Sequence, residues 1–102
     1  MTNRSYHTLE NHLQTAVSDA LKALFDIDLS PEKVRLDPTR KDQDGDFTLV
    51  VFPFLKQAHL KPEELGSAVG DYLTAHFPRM IQGYNVVKGF LNLSLTSALY
   101  VD

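Results

Sequence analysis

The residues whose types and spacing suggest chemistry form the run Lys88-Gly89-Phe90-Leu91-Asn92-Leu93-Ser94. From Phe90 onward apolar and polar positions alternate, which is the period of a half-buried strand. Leucines occupy one side of this strand, whereas Phe90, Asn92 and Ser94 share the other side. An aromatic ring beside a carboxamide, which both donates and accepts hydrogen bonds, is typical of a surface that holds a flat polar molecule such as a nucleobase.

The same aromatic residue has a second interpretation, in which it packs against a loop or against a neighbouring domain. Periodicity alone does not separate a stacking platform from such a packing contact. The pair Lys88-Gly89 supplies a tight turn before the strand, because glycine adopts backbone conformations that other residues avoid. Both interpretations of Phe90 therefore stay open at this point.

The composition excludes several classes of protein. The 102 residues are enough for one domain with a modest core. The absence of cysteine rules out disulfides and thiolate zinc sites. No apolar run is long enough to cross a bilayer, and the first residues lack the features of a secretory signal. We therefore expect a cytoplasmic protein with no membrane partner.

The charge balance limits how the chain can bind nucleic acid. It contains 10 lysines and arginines against 13 aspartates and glutamates. Binding that is driven by phosphate neutralisation needs a surplus of basic residues. Any contact with nucleic acid must therefore be small and local.

We find no pattern that indicates catalysis or a metal site. No nucleophile and base stand at a sequence spacing typical of a catalytic pair, and no glycine-rich phosphate loop is present. His7 and His12 are five residues apart and do not share a helix face. The segment Asp42-Gln43-Asp44-Gly45-Asp46 is similar to a calcium loop, but Pro53 stands where the bidentate glutamate belongs. The sequence thus predicts a fragment that is not an enzyme on its own and holds no metal or cofactor.

The periodic segments predict an α+β two-layer sandwich, in which a four-stranded, mainly antiparallel sheet carries two helices on one face in the order α-β-β-α-β-β. The predicted helices are one that is capped by Ser5 or Thr8, with its apolar stripe from Leu9 to Phe25, and one from Pro62 to Phe77. The predicted strands are a short one at 34–36 closed by Asp37-Pro38, an almost fully buried one at 47–52, one at 80–87 that is broken or bulged at Gly83, and one at 90–95. A polar loop at 39–46, with a turn at Asp44-Gly45, joins the first two strands. Gly66 and Gly70 indicate a close approach of backbone within the second helix. We expect one domain at 1–95, with 96–102 beginning a linker or helix toward a catalytic domain.

Three segments together resemble the N-terminal additional domain of arginyl-tRNA synthetases. They are Gly45-Asp46-Phe47, the helix that starts at Lys61-Pro62-Glu63-Glu64-Leu65, and the stretch 82–95 with its Lys88-Gly89-Phe90-Leu91-Asn92 core. The resemblance runs in order across nearly the whole chain. It implies an α+β domain ahead of the catalytic domain of a class I arginine-tRNA ligase, an enzyme that uses ATP with magnesium and arginine. It also implies that the sheet surface contacts the D-loop of tRNA.

The resemblance also implies roles for individual residues. Phe90 matches the aromatic that stacks on a D-loop base, Asn92 matches the amide two residues later, and Lys88 and Gly89 form the preceding turn. Ser94 continues the same face. The implied partners are tRNA and the chain's own catalytic domain, with a monomeric parent enzyme. A protein-docking module is the alternative function, and a small-ligand sensor on the same sheet is a weaker one.

Overall fold

The computed structural model describes residues 2–96, with side chains from Glu10 onward. Its regular elements are helix α1 (Thr2–Phe25), a 3-10 turn (Pro31–Lys33), strand β1 (Leu36–Pro38), strand β2 (Phe47–Val50), a second 3-10 turn (Phe52–Phe54), the short helix α2 (Leu55–Ala58), helix α3 (Pro62–His76), strand β3 (Ile81–Val87) and strand β4 (Phe90–Leu95). The expected linker or helix at 96–102 lies outside the described residues except for Thr96.

The four strands form one sheet in the order β1-β2-β4-β3. All three neighbouring pairs are antiparallel, so the predicted α+β sandwich is confirmed. Central β4 pairs Leu91 with Leu49 and Leu93 with Phe47, which places four apolar side chains on one face. These side chains are buried beneath the helices in a single core. The predicted irregularity in β3 is confirmed, since the register shifts between Ile81 and Gly83.

The long helix α1 contributes its apolar stripe to this core. Leu13, Val17 and Leu21 are fully buried and stand four residues apart, which is the spacing of one helix face. The helix packs against α3, and α3 packs against β3 and β4. Helix α1 begins at Thr2, so the expected start at a cap on Ser5 or Thr8 is wrong. In the described part of the chain, no helix is long and apolar enough to cross a membrane.

Helix α3 lies close to β3 because two of its residues have no side chain. The helix begins at Pro62, as predicted, and the Lys61 N–H donates to Glu64 Oε1 at 3.0 Å. A Cβ at Gly66 would lie 3.1 Å from Val86, and a Cβ at Gly70 would lie 2.6 Å from the ring of Tyr84. The predicted close approach at these glycines is therefore confirmed.

The first two strands differ from the prediction. Asp37 and Pro38 belong to β1 rather than ending a strand at 34–36. Pro38 is tolerated because β1 is an edge strand. Strand β2 ends at Val50 rather than Phe52, and its residues alternate between buried and half-buried. The expectation of an almost fully buried strand here is wrong because the second face of the sheet is only partly covered.

Candidate functional site

A groove of about 550 Å³ lies on the sheet face opposite the buried leucines. It is bounded by β1, the loop at 39–46, β2 and the β3–β4 hairpin. Its lining residues are Asp37, Pro38, Arg40, Asp42, Gln43, Thr48, Val50, Val87, Lys88, Phe90 and Asn92. Three of the five residues expected at the site therefore line one groove, together with a loop that the sequence presented only as a polar turn.

The hairpin turn at Lys88-Gly89 fixes the position of Phe90. Both turn residues have positive φ angles, 50° and 82°, as the tightest two-residue hairpins require. Val87 and Phe90 pair directly across the turn. The predicted turn is confirmed, and it places Lys88 on the groove wall beside Phe90.

The ring of Phe90 faces solvent, as the alternation predicted, and it has an aromatic neighbour that the sequence did not indicate. Phe90 is 40% exposed and Phe52 is 49% exposed. Their ring centroids are 6.1 Å apart at an interplanar angle of 86°, the edge-to-face arrangement that aromatic pairs favour. Phe52 was predicted as the end of a buried strand, and the following Pro53 was the only sign that the strand stops earlier. Phe52 therefore packs against the Phe90 ring, and Phe90 still remains 40% exposed.

Gly89 is what allows Phe52 to reach the turn. A Cβ at Gly89 would lie 2.6 Å from Cζ of Phe52, a separation that non-bonded carbon atoms do not adopt. The positive φ of Gly89 is a second reason for glycine at this position. Gly89 is buried and so shapes the aromatic pair without offering a polar group to a ligand.

Asn92 points to the same face as Phe90, but the expectation that it is exposed is wrong. Its side chain is 1% exposed because the loop at 39–46 folds over it. Thr48 Oγ1 donates to Asn92 Oδ1 at 2.6 Å, and Asn92 Nδ2 donates to Gln43 Oε1 at 2.8 Å. The Thr39 hydroxyl lies 2.9 Å from that of Thr48 and extends the chain of hydrogen bonds. Both ends of the Asn92 carboxamide are thus engaged within the protein.

The backbone of β4 holds the loop at 39–46 in place. The Asp46 N–H donates to the Leu93 carbonyl at 2.7 Å, and the Leu95 N–H donates to Asp46 Oδ2 at 2.8 Å. Gly45 has a φ of 135°, and a Cβ there would lie 3.1 Å from Cβ of Asn92. The predicted Asp44-Gly45 turn is therefore part of a loop that packs over Asn92 and buries it. Its Gly-Asp pair was the only signal that could have revealed this.

The remaining predicted site residue lies outside the groove. Ser94 is half-buried and pairs with Gly83 in β3. It shares a face with Phe90 and Asn92 but does not line the groove. The structure therefore separates Ser94 from the other four residues. Lys88, Phe90 and Asn92 line the groove, and Gly89 makes room for Phe52 beside the turn.

The charges around the groove are balanced. Arg40 and Lys88 contribute positive charge, and Asp37 and Asp42 contribute negative charge. Arg40 Nε lies 3.9 Å from Asp42 Oδ1, and both side chains are highly exposed, so their attraction is weak. Among the described side chains, Lys88 makes no ion pair, and no cluster of three metal-ligating residues occurs. The groove thus offers a ring, amides and two exposed cations rather than a field of positive charge.

The fold and the groove together define an α+β sandwich domain that carries a groove on the open face of its sheet. Residues 11–95 match the family model described as arginyl tRNA synthetase N terminal domain. The chain belongs to this family, as its resemblance indicated.

Individual relatives agree with this assignment. The chain is 40% identical to an arginine-tRNA ligase of Phocaeicola vulgatus and 43% identical to one of Bacteroides fragilis, in each case over 92% of this chain and 16% of the relative. A solved structure of Thermus thermophilus arginyl-tRNA synthetase has the same fold, with a TM-score of 0.66 and 24% identity over 85% of this chain and 14% of that one. The chain thus spans about one sixth of the length of these relatives.

Proposed function

We propose that this chain is the tRNA-recognition module of an arginine-tRNA ligase and contacts the D-loop of tRNA through the groove on its sheet. The observation that carries the proposal is the partly exposed ring of Phe90, which packs against Phe52 and lines a groove with polar residues. An unstacked base of a tRNA loop offers the flat face and the hydrogen-bonding edge that such a surface binds. Membership of the arginyl-tRNA synthetase family supplies the partner.

The activity belongs to the parent enzyme rather than to the groove. In the proposed arrangement the catalytic domain of the same polypeptide binds ATP with magnesium and arginine, and it joins arginine to the end of the tRNA. The present domain positions the tRNA by holding a loop far from that end. Arg40 and Lys88 flank the proposed base site and provide a local attraction to the neighbouring phosphates.

The substitution Phe90→Ala tests the proposal in the full-length ligase. A stacked base contributes on the order of 1 to 3 kcal/mol, so we expect the KM for tRNA to rise roughly tenfold. The KM values for arginine and ATP should stay unchanged, because the groove contacts neither substrate. Steady-state aminoacylation with each substrate varied in turn measures all three.

Leu24→Ala is the matched control for Phe90→Ala. Leu24 is also 40% exposed, but it lies on α1 rather than in the groove. It should leave the KM for tRNA within about twofold of the wild type, since an isolated surface side chain has little effect. An unchanged tRNA KM in Phe90→Ala would refute the proposed function.

A second prediction concerns the strength of binding by the 102-residue chain alone. One stacked base and two exposed cations do not offset the entropy that association costs. We expect a Kd for tRNA above about 100 µM at physiological salt, as measured by titration of an isotope-labelled chain. Submicromolar binding that persists at high salt would contradict a module that works only beside a catalytic domain.

The exposed pair Phe52 and Phe90 also fits a surface that docks a neighbouring protein domain. Chemical-shift mapping with a D-arm RNA hairpin separates the two functions. The tRNA module should show shifts at Lys88 and Phe90, whereas a docking surface should show none. The substitutions Phe90→Tyr and Phe90→Trp give a second criterion. Because either ring can still stack on a base, both variants should keep the KM for tRNA near that of the wild type.

A further inference from the structure

The hydrogen bonds over the sheet run in one direction. Because Thr48 donates its only hydroxyl proton to Asn92 Oδ1, the Thr39 hydroxyl must donate to Thr48. Asn92 in turn donates through Nδ2 to Gln43 Oε1. The relay is therefore Thr39 to Thr48 to Asn92 to Gln43, and every step is an O–H or N–H donation of 2.6 to 2.9 Å.

This direction decides what the relay presents to the groove. Gln43 accepts through Oε1, so its Nε2 carries two N–H donors away from that bond. Among the described residues, Nε2 has no hydrogen-bond acceptor, and Gln43 is half-buried in the groove wall. The turn that carries it is also fixed, because the Gln43 N–H donates to the Arg40 carbonyl at 3.0 Å. The groove thus contains a preorganised amide donor in the same lining as Phe90.

We infer that Gln43 determines base specificity, by donating a hydrogen bond from Nε2 to an acceptor on the edge of the base that stacks on Phe90. The acceptor is a carbonyl oxygen or an unprotonated ring nitrogen. This inference rests on the proposed function and adds to it the residue that distinguishes one base from another. Asn92 is a positioning residue, since it is buried and orients the Gln43 amide.

The other polar groups of the groove are less suited to read a base. Arg40 and Lys88 are exposed cations that suit phosphates, and phosphate contacts carry no base information by themselves. Thr48 uses its hydroxyl within the relay. A fixed amide discriminates more strongly, because a base that offers a donor at that position leaves two donors facing each other.

The test uses the full-length ligase with transcripts of its arginine tRNA, the normal one and a set in which each D-loop base is changed singly. Gln43→Met removes the amide at nearly constant volume. Gln43→Glu keeps an acceptor for Asn92 Nδ2 but replaces the free donor with an acceptor. Gln82→Met and Gln82→Glu are matched controls, because Gln82 is exposed on β3, next to Ile81 at the end that pairs with Leu95 rather than at the hairpin.

We expect Gln43→Met to raise the KM for the normal transcript about fivefold, the effect of one neutral hydrogen bond, with kcat unchanged. At one position of the D-loop, the ligase should no longer distinguish between transcripts that carry different bases. Gln43→Glu should reverse the preference there toward a base that presents a donor, which a purely structural role for Gln43 cannot produce. The Gln82 variants should keep the wild-type order of preference.

Two results overturn the inference. One is an unchanged order of D-loop preference in both Gln43 variants while Phe90→Ala still raises the tRNA KM, which leaves the proposed function intact. The other is a Gln43→Glu variant that loses the preference as Gln43→Met does instead of reversing it, because the role of Gln43 would then be structural. If Phe90→Ala itself has no effect, the proposed function fails as well. Thermal unfolding of each variant identifies any that do not fold.

Discussion

Asn92→Asp is expected to destabilise the domain by about 3 kcal/mol at neutral pH. The side chain at this position is 1% exposed, so the substitution places a carboxylate where water cannot reach it. The Gln43 amide can turn over to donate, and Thr48 already donates. These two hydrogen bonds do not replace the hydration that an ionised group loses on burial. Denaturant unfolding of variant and wild type measures the difference.

The penalty in Asn92→Asp should depend on pH in a defined direction. Burial raises the pKa of the introduced carboxyl above its ordinary value of about 3.9. Below that ordinary value the carboxyl is protonated in both the folded and the unfolded chain, so the penalty is absent. As pH rises, the unfolded chain ionises first and stability falls until pH passes the folded-state pKa. Above that point the penalty is constant.

Asn85→Asp is the matched control for this prediction. Asn85 pairs directly with Asn92 across β3 and β4, but it is exposed. The same chemical change there should alter the free energy of unfolding by no more than about 0.5 kcal/mol. Equal losses in the two variants, or a loss in Asn92→Asp that does not change with pH, would contradict a buried carboxamide beneath the loop at 39–46.

The sequence was sufficient to predict the layers of the fold because each element has a clear period. Leu13, Val17 and Leu21 repeat at helical spacing, and Leu91, Leu93 and Leu95 repeat at strand spacing. Burial follows such patterns whatever the rest of the chain does. The turn at Lys88-Gly89 was also predictable, since it depends on local backbone preferences.

The sequence could not predict which polar residues of the second face become buried. Alternation places Asn92 opposite the leucines, but it does not reveal that a loop 46 to 53 residues earlier covers that position. The same limit applies to Phe52, whose contact with Phe90 joins two separate turns. Interactions between distant segments leave no periodic signal, and they are what shapes this groove.

Gly70→Leu is expected to destabilise the domain by about 3 kcal/mol, because it forces α3 away from β3. Even a Cβ at this position would lie 2.6 Å from Cγ and Cδ2 of Tyr84. The Tyr84 ring cannot move freely, since its hydroxyl donates to Asp71 Oδ1 at 2.7 Å. This hydrogen bond raises the pKa of the Tyr84 phenol. Chemical denaturation of the variant and the wild type measures the loss.

Tyr84→Ala in the same chain shows whether the loss comes from this contact. With the ring removed, the space it leaves accommodates the new leucine, so Gly70→Leu should then cost less than about 1 kcal/mol. Gly83→Leu is the control for the substitution itself, because a Cβ at Gly83 meets nothing within 4 Å. Its effect should stay below about 0.5 kcal/mol. If Gly70→Leu costs the same with and without the tyrosine, helix α3 does not approach β3 at this glycine, and the sheet that carries Phe90 is supported differently.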